Sequence, residues 1–158
     1  MTENYLQIMI ESLEKKLMAL DSIEEINAKQ FECSSARPFN AEKYNEIMEE
    51  KGKIIDEINA LDDGFTSTYE LVREDVQANP QVYKDKVLKL QELVKQTVDK
   101  GVSVEAQEKR NKASMEAAIS TRRQEFRKQK VSTAVAMKYY KSTNRINNVD
   151  PQLMDRKK

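Results

Sequence analysis

The sequence predicts an all-α protein: an elongated antiparallel three-helix bundle of long, coiled-coil-like helices with an overhanging C-terminal arm. Three observations predict it. Only three Gly and three Pro punctuate 158 residues, while 34% of them are charged, the balance expected of long helices with few connections. Apolar residues recur at three- and four-residue steps over long stretches. Charge is divided along the chain: residues 1–120 hold 16 Lys/Arg against 24 Asp/Glu, and residues 121–158 hold 11 against 3.

A first helix is expected from about Glu3 to Cys33. Leu6, Met9, Leu13, Leu17, Leu20 and Phe31 form its stripe, with Ile23 and Ile26 on the flank. Ser34-Ser35-Ala36-Arg37-Pro38 ends it, because a residue before proline is pushed out of the α region. Asn40 can cap the next helix, and Phe39 with Tyr44 occupies the two positions of a hydrophobic staple. The second helix carries Tyr44, Ile47, Lys51, Ile54, Ile58, Leu61, Phe65, Tyr69, Val72 and Val76. Asp62-Asp63-Gly64 is turn chemistry, yet the stripe crosses it without a change of phase, so Gly64 is expected inside the helix.

Asn79-Pro80 stops the second helix, and a third begins near Gln81. Its stripe is Tyr83, Val87, Leu90, Val94, Val98 and Val104, crossing Gly101. From Glu105 to Ser114 the chain is polar almost all round, and the stripe returns weakly at Met115, Ile119 and Phe126. A mirror point at Pro80 sets Asn40 level with Ala118, leaving everything later without a helix of the hairpin beside it. Helices of roughly 35–40 residues are over 50 Å long, which makes the body a rod. Residues 1–118 are therefore read as the bundle and residues 119–158 as a basic arm and tail. Ile54, Ile58, Leu61, Phe65 and Leu90 are expected in the core. Methionines such as Met9, Met18 and Met48 are expected to fill it.

The function classes narrow by exclusion. No histidine is present, which removes Ser–His and Cys–His nucleophile pairs, imidazole acid–base chemistry and the common zinc sites. The single Cys33 completes no disulfide or thiolate cluster. Isolated glycines form no phosphate-cradling loop. The expectation is a non-enzyme with no cofactor and no metal. No apolar run is long enough to span a membrane. The opening Met-Thr-Glu-Asn-Tyr lacks the regions of a signal peptide, so cytoplasmic residence is expected. Nucleic acid is disfavoured, because an acidic body repels phosphate.

The arm is the candidate partner-binding region, through Met115, Ile119, Arg122, Arg123, Phe126, Arg127, Val131, Val135, Tyr139 and Tyr140. Its apolar members are expected to make a stripe that an amphipathic helix can cover. The arginines suit acidic residues beside such a helix, and the tyrosine pair suits an interface hot spot. Val131 to Tyr140 is expected as a short amphipathic helix, with Ile146, Val149, Leu153 and Met154 as further apolar residues of the tail. If the arm does not bind, a groove between the first two helices is the alternative.

This plan, with Val131-Ser132, Ala134 or Ala136, Tyr139-Tyr140-Lys141 and the ending Asn144-Arg-Ile-Asn-Asn-Val-Asp-Pro-Gln-Leu-Met-Asp-Arg-Lys-Lys158, resembles the flagellar export chaperones called FlgN in clostridia-like bacteria. The resemblance implies a cytoplasmic type III export chaperone. Its C-terminal part would hold helical terminal regions of hook–filament junction proteins, prevent their premature assembly and deliver them to the export machinery. The longer, more basic ending departs from the enterobacterial pattern and leaves the client open, with a FliT-like chaperone of the filament cap as the alternative. Apart from the resemblance, a structural coiled-coil adaptor is the other reading. The chain is expected as a monomer or weak dimer.

Overall fold

The structure, a computed structural model, describes residues 1–144, with the backbone alone for residues 139–144. Three helices and no strand occur among the described residues: α1 (Thr2–Ser35), α2 (Ala41–Ala78) and α3 (Lys84–Asn144). The chain divides into two compact units, Met1–Met115 and Glu116–Lys158, a boundary slightly ahead of the one expected after residue 118. The first unit holds α1, α2 and the first half of α3 as a three-helix bundle.

Interhelical hydrogen bonds give the register. Between α1 and α2, Thr2 donates to Asp75 at 2.6 Å, Lys16 to Asp62 at 2.7 Å and Gln30 to Tyr44 at 3.2 Å. Partner numbers fall as residue numbers rise, so this pair is antiparallel. Between α1 and α3, Lys86 donates to Gln7, Asn27 to Gln107, and the Ser34 and Ser114 hydroxyls share a bond at 2.8 Å. That offset stays near 80 residues, so α1 and α3 run parallel in an up-down-up bundle.

The helix ends follow local chemistry. Ala36 is extended after α1, and the Arg37–Pro38 peptide bond is cis. Asn40 Oδ1 accepts from the Lys43 amide at 3.1 Å, and the Phe39 and Tyr44 rings lie 5.7 Å apart, so the cap and the staple are both formed. The second connection is longer than expected, and α3 starts at Lys84 rather than near Gln81. Asp75 accounts for this: it accepts from Thr2 at 2.6 Å, Tyr83 at 2.8 Å and Asn79 at 2.9 Å. The residues after Pro80 are thereby used as a turn, with Tyr83 drawn back onto the end of α2. These bonds, Thr2 first and then Tyr83, hold the Asp75 carboxyl below its ordinary range, and the same contact raises the Tyr83 hydroxyl.

The core differs from the periodicity in three respects. Ile23 and Ile26, expected on the flank of α1, are fully buried, because α1 packs against both other helices and buries a wide face. Of the expected core on α2 and α3, Leu90 is buried, but Ile54, Ile58, Leu61 and Phe65 are only half-buried. On α3 the buried row is Leu90, Leu93 and Thr97, whereas Val98, expected in it, is 59% exposed. Met9 is in the core; Met18 and Met48 are exposed. Gly64 and Gly101 lie inside α2 and α3, as the unbroken stripes require.

The stretch from Glu105 to Ser114 is not an idle polar segment. Asn27, Gln30, Lys51 and Asn111 are buried together with Ser34. Lys51, 4% exposed, donates to Gln30 at 3.0 Å and pairs with both Glu108 oxygens at 2.6 and 2.7 Å. Asn111 donates to the Asn27 carbonyl at 3.0 Å. The Oδ1 atoms of Asn27 and Asn111 accept no hydrogen bond. Such a layer adds little net stability, but it penalises any slip in register that would strand its members.

Candidate functional site

Two surfaces have the composition of a helix-binding site, one in each unit. In the second unit, residues 116–144 are helical without interruption, so the short separate helix expected from Val131 is part of α3. On this helix Ile119 is 41% and Phe126 68% exposed. A shallow depression of about 470 Å³ is lined by Ile119, Arg122, Arg123, Phe126 and Arg127. A second, of about 450 Å³, lies among Glu116, Ile119, Ser120, Arg123, Gln124 and Arg127. Five of the ten expected partner-binding residues are thus gathered on one stretch of helix.

Of the other five, three separate from that group. Met115 is half-buried and belongs to the first unit. Val131 and Val135 are exposed, but at about 100° per residue they point roughly 120–160° away from Ile119. The expected single apolar stripe is therefore corrected: Ile119, Phe126 and Met137 share one face, and the two valines occupy another. The side chains of Tyr139 and Tyr140, and the tail residues Ile146, Val149, Leu153 and Met154, lie outside the described residues.

In the first unit the open seam runs between α2 and α3. Between α1 and α2, Ile26, Cys33 and Ile47 are buried with Tyr44 and Ile54 packed against them, and a charged-walled depression of about 640 Å³ lies among Lys29, Glu32, Cys33, Lys43, Glu46 and Ile47. Between α2 and α3, near the Pro80 turn, lies an apolar groove of about 490 Å³. Its floor is Leu6, Met9, Val72 and Leu90, and its walls include Phe65, Tyr69, Val76 and Val94. Arg73, Gln77 and Gln91 supply the polar rim. Here Val94 and Tyr69 are exposed where an evenly closed bundle would bury them, and Val98, one turn further along α3, is exposed as well. Hydrophobic periodicity could locate these residues on the inner faces of α2 and α3; it could not show that the two faces stand apart.

Among the described residues, no group of acidic and cysteine side chains is arranged to hold a metal ion, and no helix is long and apolar enough to cross a membrane. No family model, curated protein or solved structure matches the chain.

Proposed function

We propose that this protein is a helix-binding chaperone of the flagellar type III export class, which covers helical terminal regions of hook–filament junction proteins in the cytoplasm and is not an enzyme. The observation that carries the reading is the exposure of Phe126 beside Ile119 on a basic helix. A large aromatic side chain left in water at helical spacing suits a partner that supplies its own apolar face. Arg122, Arg123 and Arg127 select for acidic residues flanking that face and speed encounter more than they tighten it. The resemblance of the C-terminal residues to FlgN names the client class.

The test is calorimetric titration of the purified chain with terminal helical segments of the organism's hook–filament junction proteins. Binding is expected for the full chain, reduced in Phe126→Ala, and lost when the chain ends after Gln124. Replacing both Tyr139 and Tyr140 with Ala is expected to weaken capture with little change in melting temperature. Equal affinity in the shortened chain would remove the arm from the site. Selective binding of filament-cap segments would make the chain FliT-like, and no binding to either would favour a structural adaptor.

A further inference from the structure

One face of α2, which lines the open seam only through Tyr69 and Val76, carries a pattern that the chaperone reading does not use. Met48, Ile55, Asp62, Tyr69 and Val76 recur every seven residues, and Met48, Ile55 and Tyr69 are exposed. Further round the helix, Glu42, Glu49, Asp56, Asp63 and Glu70 also recur every seven residues, all of them exposed. Between these rows lie Asn45, Gly52, Asn59 and Thr66, residues small enough to let another backbone approach. An ideal Cβ at Gly52 would meet no atom within 4 Å. The rim is not purely acidic, since Arg73 stands at the groove, 4.0 Å from Glu70. An apolar row, broken at Asp62, which pairs with Lys16 of α1, a low shelf and an acidic rail together fit a helix that is apolar on one face and basic along its edge.

The chain itself contains such a helix. In the second unit, Ile119, Phe126 and Met137 share a face. Arg123, Arg127 and Lys130 flank that face on one side, and Arg123 and Lys130 stand one seven-residue step apart, the period of the acidic row. The complementarity extends to the whole units: residues 1–115 hold 16 Lys/Arg against 23 Asp/Glu, and residues 116–158 hold 11 against 4. We propose that the α2–α3 seam docks the basic arm of a second copy of the chain, through Phe126 and Ile119 on the apolar rows and Arg123, Arg127 and Lys130 along Asp56, Asp63 and Glu70. Reciprocal exchange, each arm on its partner's seam, gives a closed pair rather than an open fibre. The exposed rows are short, which places the contact among small, weak, salt-sensitive interfaces. The proposal does not depend on the chaperone reading, because it requires no client.

Sedimentation equilibrium of the full chain, without client, tests it. At about 0.05 M salt the weight-average mass is expected to rise with concentration from 18.3 kDa towards twice that value, and to fall back at about 0.5 M salt. Asp56→Lys with Asp63→Lys, and separately Arg123→Glu with Arg127→Glu, are each expected to weaken association on the order of tenfold or more. Mixing these two variants restores it, because each groove then meets an arm of opposite sign. All four positions are exposed, and an unchanged helical circular dichroism spectrum verifies that the variants are folded. A chain that stays monomeric at low salt, a dimer indifferent to salt and to the aspartate changes, or a mixture that fails to recombine overturns the proposal.

Discussion

Gly64→Ala and Gly101→Ala should each make the protein more stable, and the structure fixes both the sign and the size. Both glycines lie in helix interiors, and no glycine has a positive φ. A Cβ built at either position meets no atom within 4 Å, so alanine brings neither a clash nor a new contact. What remains is backbone entropy: glycine in a helix interior is worse than alanine by roughly 0.5–1 kcal/mol, much of it through the freedom of the unfolded chain. The sites share no partner, so the double variant should gain about 1–2 kcal/mol. For a chain of this size each kcal/mol raises the melting temperature by about 2–4 °C. Circular dichroism melts should show the shift, and urea titrations should show higher midpoints at unchanged slope. A loss of stability at either glycine would mean a backbone that is not helical there, and the three-helix count would fail with it.

Leu6→Ala should cost about 2–5 kcal/mol, because Leu6 is enclosed at the centre of the core. The half-buried Leu61 should lose only about 1–2 kcal/mol on change to Ala, and equal urea midpoints for the two variants would refute the difference in burial between them. Glu108→Ala strands the buried Lys51 ammonium and should cost about 2–4 kcal/mol. Lys51→Met should stay within about 1 kcal/mol of the parent, since the half-exposed Glu108 can hydrate; a costlier Lys51→Met would reverse that account. Asp75 has a lowered folded-state pKa, so its contribution is complete above the unfolded value and is lost as pH falls through the folded one, below 3.8. Asp75→Asn should flatten stability across that acid window. Lys100, raised by its bonds to Asp21 and then Glu24, contributes below the unfolded value and loses this as pH climbs past 10.5, so Lys100→Met should remove an alkaline step.

Much of the fold was legible because a helix writes its own period into the chain. The stripes through Leu61–Phe65 and Val98–Val104 placed both glycines inside helices, and Asn40 with Phe39 and Tyr44 marked the start of α2, since caps and staples are interactions between near neighbours. The N-terminus of α3 was misplaced because its cause is remote: Thr2 and Tyr83 both reach Asp75, and the first lies 73 residues from it. On the arm, residue type pointed to Ile119, Phe126 and the arginines. The grouping of Val131 and Val135 with them failed because one continuous helix turns those valines to another face.

Residue chemistry alone determined the helical class, the two connections, the split of charge between the bundle and the arm, and the absence of imidazole and Gly-loop chemistry, all properties of single residues or of neighbours within a turn or two. Only the tertiary structure decided which side of each stripe is closed. Burial depends on how far apart two helices stand, and an apolar stripe reads the same whether its partner touches it or stands off; hence Val98 and Tyr69 are exposed while Ile23 and Ile26 are enclosed. It also decided that the polar run of α3 is a core element, since Asn111 and Glu108 look like solvent-facing residues until Asn27 and Lys51, more than 50 residues away, arrive to pair with them.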